Sequence, residues 1–302
     1  MGTLRKRSRG PRIDAYDPGY TVPESRDEGA PRALDVPGAT VTLGLAALIY
    51  AVSKVPDGGW ASIVTFGAAG VLLLVCFVVA ERRSPAPLVP LRVFATRAVI
   101  FPNAAIFLQS MIGLSWLYVL TLYFQDVLGY GPLVAGLLFV PMTVSSVPAA
   151  LVAARLTTRF GVKPTAAGGL VLVGAGLLLM AYTPGSGGLP FVLSGMVVGE
   201  SGFMISNVPL TIASTSGVDE RGLASGLMNT SIQLGNAFGL AAVATVVAAI
   251  ASSSVAGEGE GLVGGLRWGL FLCDGIVFIA LTIVLLGLHG ERTRQKSSDR
   301  SS

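Results

Sequence analysis

Long uncharged stretches separated by short polar connectors dominate the sequence from residue 37 onward. The stretches are continuously apolar, whereas a strand with one buried face alternates apolar and polar residues. A helix of about 20 residues is long enough to cross the hydrocarbon layer of a bilayer. The pattern therefore predicts an all-α, polytopic membrane bundle of eight transmembrane helices. Their predicted bounds are 37–54, 61–80, 98–124, 132–154, 164–183, 188–213, 222–250 and 263–288.

The seventh predicted helix carries a distinctive pattern of small and polar residues. Because a helix turns by about 100° per residue, one narrow stripe contains Gly222, Gly226, Asn229, Gln233, Asn236 and Leu240. Gly235 and Gly239 form a second notch of small residues on another side. Glycines four residues apart let helix backbones approach closely inside lipid. We therefore expect a helix with neighbours on two sides and a polar seam.

The composition agrees with a membrane protein. Charged residues make up 13% of the chain and hydrophobic residues 52%, with a mean hydropathy of +0.70. A soluble domain usually has about 25% charged residues. Residues 1–35 and 289–302 are polar and are predicted to be tails, the first of them disordered. Cys76 and Cys273 lie inside apolar stretches at no metal or redox spacing, so no metal site and no cofactor are predicted.

The distribution of basic residues predicts the orientation in the membrane. With eight spans, both termini lie on one side, and all but two of the 21 Lys and Arg residues fall on that side. The exceptions are Lys54 and Arg267. Because basic loops stay in the cytoplasm, we expect both termini there and the protein in the plasma membrane. The same asymmetry accounts for the net charge of +4 without a nucleic-acid partner.

Two carboxylates lie inside predicted spans, away from their ends: Glu200 and Asp274. A charged side chain at the bilayer centre costs about 2.5–3.5 kcal/mol, so both are candidates for proton coupling or substrate binding. Glu200 shares a helical face with Met204 and Asn207, a wall that suits an amphipathic ligand. The alternatives are a hydrogen-bonded Glu200 in packed protein and a structural pairing of Asp274 with Arg267.

Further polar side chains on two predicted spans are candidates to line a cavity. On the span 98–124 they lie on one seam that continues to Tyr123, and on 222–250 they lie on the polar stripe. Hydrogen bonds between helices are the alternative role. These candidates are Gln109, Trp116, Asn229, Gln233 and Asn236.

One motif, Gly199 to Gly202, resembles the serine motif of an intramembrane protease. That chemistry requires a histidine within hydrogen-bond reach of the serine. The single histidine, His289, follows the last predicted span, so the sequence does not predict an enzyme.

Several short segments together resemble the major facilitator superfamily, in particular its fourteen-span drug/proton antiporter branch. The segment from Arg159 through Gly161 to Lys163 resembles the family's cytoplasmic loop motif, although Ala154 and Thr158 stand where the motif has Gly and Asp. The matching segments are Val22–Arg26, Leu34–Gly38, Pro87–Arg92, Tyr123–Tyr130, Arg159–Lys163 and Glu220–Thr230.

The resemblance implies an arrangement and a function. Residues 36–97 would contain the two extra linker spans and a cytoplasmic loop, and residues 98–288 the six-span C-terminal half-bundle. The implied function is proton-coupled efflux of amphipathic small molecules. Transporters of this kind use two halves around a midplane site, so we expect a truncated chain or one part of a split transporter whose partner is an N-terminal half-transporter chain. The alternative is a non-transporting membrane remnant or packing subunit.

Overall fold

The computed structural model describes residues 36–54, 59–83, 97–182, 188–216, 221–253 and 258–288. Within these ranges every regular element is helical. The predicted tails, 1–35 and 289–302, and the loop 84–96 lie outside the described residues. A π-helical turn, Tyr123–Val127, directly follows α3. The α-helices are α1 (Val36–Ser53), α2 (Trp60–Arg83), α3 (Arg97–Leu122), α4 (Pro132–Leu138), α5 (Val140–Phe160), α6 (Val162–Ala181), α7 (Leu189–Ser216), α8 (Arg221–Ser253) and α9 (Glu258–Gly287).

Seven segments of the described chain are long and apolar enough to cross a bilayer. In one of them α3 continues through the π-helical turn to Val127, and in another α4 and α5 together form a span from Pro132 to Phe160. Helix α1 is shorter, with an apolar stretch at Ala39–Ala51. All eight predicted segments are helical, and the predicted all-α membrane bundle is confirmed.

Pro141 explains why one span consists of two helices. A proline nitrogen carries no hydrogen and is tolerated in the first turn of a helix, where α5 places it. The backbone changes pitch at Phe139, whose N–H donates to the carbonyl oxygen of Gly136 at 3.2 Å. The helical rod therefore contains a local break near its start, while its apolar surface continues across the bilayer.

Two predicted helix bounds were wrong by more than one turn. Helix α5 continues to Phe160 instead of ending at 154, and α9 begins at Glu258 instead of 263. Apolar composition marks only the part of a helix that lies in lipid, whereas backbone hydrogen bonds continue into polar sequence. In this extension of α5 the hydroxyl of Thr157 donates to the carbonyl oxygen of Ala153 at 2.7 Å.

Helices α6 and α7 pack most closely through glycines. A Cβ atom added at Gly176 would lie 2.6 Å from the carbonyl oxygen of Gly195, and one added at Gly202 would lie 2.6 Å from that of Gly169. Without a hydrophobic force between helices in lipid, such close backbone contact gives the van der Waals energy that holds them together. The spacing of these glycines along the sequence did not predict this pair of faces.

Only one of the two glycine notches predicted on α8 has a helical neighbour. Gly235 and Gly239 pack against the backbone of α3, at Phe107 and Met111 respectively. Gly222 and Gly226 have no atom of the described chain within 4 Å of an added Cβ. The prediction of neighbours on both sides was therefore wrong for the Gly222–Gly226 notch in this chain. No described residue covers the notch, and we call this side of α8 its open face.

The bundle has two distinguishable ends. Helices α3, α6 and α8 begin on the side that carries Arg97, Arg159 and Lys163, which we call the arginine-rich side. Many outward-facing positions between the two ends are apolar, including Leu72 of α2, Val147 of α5 and Phe278 of α9, each more than 60% exposed. An apolar exterior is what contact with lipid requires.

Candidate functional site

A cavity of about 260 Å³ lies between α3, α5, α7 and α8. Glu200 lies near the middle of the 28-residue helix α7, and Asn236 near the middle of the 33-residue helix α8. The cavity is therefore close to the bilayer midplane. Its lining residues are Gly113, Leu114, Trp116, Leu117, Met142, Glu200, Phe203 and Asn236.

Glu200 is the acidic group of this cavity. Its side chain is 8% exposed, and its carboxylate makes no hydrogen bond and no ion pair within the described ranges. The carboxamide of Asn236 lines the same space, together with the rings of Trp116 and Phe203. The arrangement offers an ionisable oxygen, an amide that both donates and accepts hydrogen bonds, and two aromatic surfaces.

Gly199 sets the position of the aromatic wall. A Cβ atom at this residue would lie 2.5 Å from Cζ3 and 3.0 Å from Cη2 of Trp116, so the ring rests directly on the backbone of α7. Trp116 is 1% exposed. Because Gly199 precedes Glu200, this contact fixes the indole beside the carboxylate.

The structure brings three predicted site residues together, namely Glu200, Trp116 and Asn236. Gln109 does not line this cavity. Its Nε2 atom donates to the carbonyl oxygen of Phe203 at 2.9 Å and to the hydroxyl of Ser206 at 2.7 Å. Gln109 thus joins α3 to α7 by hydrogen bonds between helices, which is the alternative role given above for these polar residues.

The four remaining candidates on α7 and α8 lie between the cavity and the arginine-rich side. Met204 and Asn207 are half-buried on α7, one and two turns beyond Glu200. Asn229 and Gln233 are exposed on the open face of α8, which continues from Asn236. None of these four lines the central cavity.

Asp274 lies on a different surface, between α9 and α6. Its Oδ1 atom would be 2.9 Å from a Cβ added at Gly174, and the side chain is half-buried. Arg267 does not pair with it. The Nε atom of Arg267 instead donates to the carbonyl oxygen of Ala181 at 2.7 Å. The structural pairing suggested for the two residues is therefore wrong.

Several lining residues were missed by sequence reasoning. Phe203 lies three residues after Glu200, and Met142 of α5 lines the same cavity. The spacing of Phe203 from Glu200 could have identified it, because residues three apart share a helical face. Gly113, Leu114 and Leu117 gave no signal, since apolar residues on a transmembrane helix face lipid and cavity alike.

The three motif residues lie at the junction of α5 and α6, with Arg159 in the last turn of α5 and Lys163 in the first turn of α6. Gly161 is the single non-helical residue of the junction, with φ 92° and ψ 174°. The guanidinium of Arg159 lies 5.2 Å from the ring centroid of Phe160, and Lys163 is half-buried at the start of α6. Within the described ranges no three His, Cys, Asp or Glu side chains are grouped to hold a metal ion.

The fold and the buried acidic cavity define a multi-pass helical membrane protein with a polar site inside its bundle. The sequence profile of the Major Facilitator Superfamily matches residues 37–240 and 143–301. The chain therefore belongs to this superfamily of transporters.

Curated relatives are similar to most of this chain. The cephamycin export protein CmcT of Amycolatopsis lactamdurans is 37% identical over 78% of this chain and 50% of its own length. The uncharacterized MFS-type transporter EfpA of Mycobacterium tuberculosis is 34% identical over 71% of this chain and 42% of its own. The puromycin resistance protein pur8 of Streptomyces alboniger is 31% identical over 79% of this chain and 49% of its own. The chain thus spans about half the length of these relatives.

Proposed function

We propose that this chain takes part in proton-coupled efflux of amphipathic small molecules, with Glu200 as the carboxylate that binds substrate or proton. The observation that carries the proposal is the buried carboxylate in a midplane cavity with two aromatic rings, a carboxylate that no described residue pairs with. The names of relatives that refer to export or antibiotic resistance give independent support.

The cavity offers a physical basis for exchange. A carboxylate held away from water binds either a proton or the positively charged part of a ligand, because both together would leave a net charge in a medium of low dielectric constant. Binding of one therefore favours release of the other. The ring faces of Trp116 and Phe203 stabilise the apolar part of the same ligand.

The open face of α8 supports a partner for this chain. Asn229 and Gln233 are exposed there, and Gly222 and Gly226 have no neighbour in the described part of the chain. An amide facing lipid costs several kcal/mol, so protein or a water-filled path is expected to cover this face. A separate half-transporter chain is the partner that we propose. Cross-linking from a cysteine at position 229 to such a chain tests this, and labelling of lipid alone would contradict it.

We further propose that both termini lie in the cytoplasm of a plasma-membrane protein, because the positive-inside bias places the arginine-rich side there. Cysteines introduced at Lys163 and at Glu260 report on the two sides of the bilayer. A membrane-impermeant maleimide should label intact cells at 260 only. Labelling at 163 would reverse the orientation.

The function is tested by transport in proteoliposomes. The purified full chain is reconstituted alone and together with the portion of the Amycolatopsis export protein outside the matched region. A pH gradient is imposed, and the fluorescence of ethidium, an amphipathic cation, reports its movement. We expect Glu200→Gln to reduce gradient-driven flux at least about tenfold, corresponding to about 1.4 kcal/mol of lost interaction.

Glu260→Gln is the matched control, because it removes a carboxylate from the exposed start of α9. It should retain the flux. Asp274→Asn tests the second candidate carboxylate, which lies outside the cavity, and we expect a smaller effect than at Glu200. If neither reconstitution shows gradient-driven flux, the transport proposal fails.

The open face of α8 also favours a second candidate function, a subunit that packs against another membrane protein without transporting. Purification of the full chain in mild detergent discriminates the two. A stable complex with a membrane protein that is no half-transporter, together with absent flux, would favour the packing subunit.

A further inference from the structure

A second cavity lies at the end of the bundle opposite the arginine-rich side, where α3, α6, α7 and α9 diverge. We call it the Arg267 cup. The mouth includes Arg267, Tyr123 and the exposed Val263. The deeper wall is entirely apolar and no residue of it is more than 6% exposed, with Val119, Leu120, Met180, Val192, Leu266 and Leu270 as its members.

Arg267 is held at the mouth by one hydrogen bond, from its Nε atom to the carbonyl oxygen of Ala181 at 2.7 Å. Its two terminal amino groups make no hydrogen bond and no ion pair within the described residues. The planar guanidinium therefore has a fixed position and retains its fork of donors. Such a fork matches the two oxygens of a carboxylate or phosphate.

Aromatic residues place this mouth at the membrane–water interface. The ring of Trp268 lies 5.8 Å from that of Phe271, which lies 5.6 Å from that of Tyr182. Trp268 is 57% and Tyr182 69% exposed. Amphipathic rings of this kind prefer the level of the lipid head groups. Arg267 consequently lies at the depth where an anionic head group meets its apolar tail.

Arg267 lies at the end of the bundle that carries few of the described basic residues. Among the described Lys and Arg residues, only Lys54 and Arg267 lie at the end opposite the arginine-rich side. Lys54 is 5.8 Å from the ring centroid of Tyr50 on α1, remote in sequence from the cup. An arginine at this end of the bundle, above a buried apolar wall, can attract a ligand of opposite charge.

We propose that the Arg267 cup binds an amphipathic anion, with its carboxylate or phosphate on the terminal amino groups of Arg267 and an alkyl tail against the apolar wall. Two sources supply this chemistry: anionic phospholipid of the bilayer and free alkyl carboxylate. The site is separate from the Glu200 cavity, so its occupancy does not depend on the proposed transport activity.

Native mass spectrometry of the purified full chain tests the site, because it counts bound molecules directly. The probes are decanoate, the neutral decanol, phosphatidylglycerol and phosphatidylcholine. We expect decanoate to bind more tightly than decanol. Arg267→Gln should weaken decanoate binding about tenfold or more, since a charge-assisted hydrogen bond is lost. Binding of decanol should change little.

Lys54→Gln is the matched control, because it removes the same charge from the same end of the bundle, and it should retain decanoate. Val192→Phe fills the apolar wall and should weaken both decanoate and decanol. If that variant fails to fold, Val119→Leu fills the same wall with a smaller change. Glu200→Gln should bind decanoate normally, which separates this test from that of transport.

The lipid probes distinguish the two sources. Retention of phosphatidylglycerol over phosphatidylcholine, lost in Arg267→Gln, identifies a bilayer lipid as the ligand. If Arg267→Gln weakens the binding of decanoate but not that of phosphatidylglycerol, the ligand is a free alkyl carboxylate. Equal binding of decanoate by Arg267→Gln and by the unmodified chain would overturn the proposal, as would equal affinity for decanoate and decanol.

Discussion

Gly161 shows how a single residue determines the connection between two membrane-spanning helices. It ends α5 and precedes α6, and its φ of 92° with ψ of 174° lies in a region that glycine alone adopts readily. No described atom lies within 4 Å of an added Cβ. The requirement for glycine is therefore conformational and not steric. The resemblance to the family's loop motif identified this residue, and the backbone supplies its physical reason.

We expect Gly161→Ala to lower the free energy of unfolding by about 1–3 kcal/mol, the usual cost of a side chain in this backbone region. Thermal unfolding of the purified chain in detergent, followed by tryptophan fluorescence, measures the change as a lower midpoint.

Gly168→Ala is the matched control. Gly168 lies within α6 and likewise has no described atom within 4 Å of an added Cβ, but its φ is negative. Alanine there should leave the midpoint unchanged or raise it, because alanine is favoured over glycine by about 0.5–1 kcal/mol inside a helix. Equal effects of the two substitutions would contradict the conformational explanation.

The sequence does not show whether Gln109 lines a cavity or bonds one helix to another. A buried amide on a membrane helix is equally suited to a cavity wall and to a bond between helices. The structure gives it two acceptors on α7, while its Oε1 atom has no partner among the described residues. Only the position of α7 relative to α3 distinguishes the roles, and that position depends on glycine contacts distant in sequence.

At the scale of elements, the two glycine pairs of α8 make different contacts despite their identical spacing. Gly235 and Gly239 contact the backbone of α3, whereas Gly222 and Gly226 have no described neighbour. The sequence predicted that small residues permit close approach, which is correct for one pair. It could not predict which face would be covered, because that depends on where neighbouring helices lie.

The difference gives a paired prediction. Gly239→Leu places a side chain against the carbonyl group of Met111, so α3 and α8 must separate. Overpacking of this kind costs about 1–3 kcal/mol, and we expect a lower thermal midpoint for the purified chain. Gly226→Leu introduces the same side chain on the open face. It should change the free energy of unfolding by no more than about 0.5 kcal/mol, so the midpoint should hardly move. A larger loss at 226 than at 239 would refute the packing described for α8.

Helix identity was predictable because continuous apolarity in lipid leaves few structural choices. Helix ends were less predictable, because α5 extends past its apolar part into a segment that contains Arg155 and Arg159. The α6–α7 contact was missed because Gly169 and Gly176 are separated by a spacing of seven, and their partners lie on another helix. Side-chain chemistry predicted Glu200, but helix packing determined that Trp116 and Asn236 would join it.

In the whole molecule, the Glu200 cavity and the Arg267 cup occupy separate regions. The Glu200 cavity lies near the midplane between α3, α5, α7 and α8, whereas the Arg267 cup lies at one end between α3, α6, α7 and α9. Helices α3 and α7 contribute to both cavities. A movement of either helix would therefore alter both cavities, although the ligands that we propose for them differ in charge.

We propose that Glu200 exchanges a proton for an amphipathic ligand. Proton release on ligand binding measures this exchange, with ethidium added to the purified full chain in weakly buffered detergent over a series of starting pH values. We predict that the unmodified chain and Glu260→Gln release protons as ethidium binds, and that Glu200→Gln releases none. Undiminished proton release by Glu200→Gln would contradict the claim.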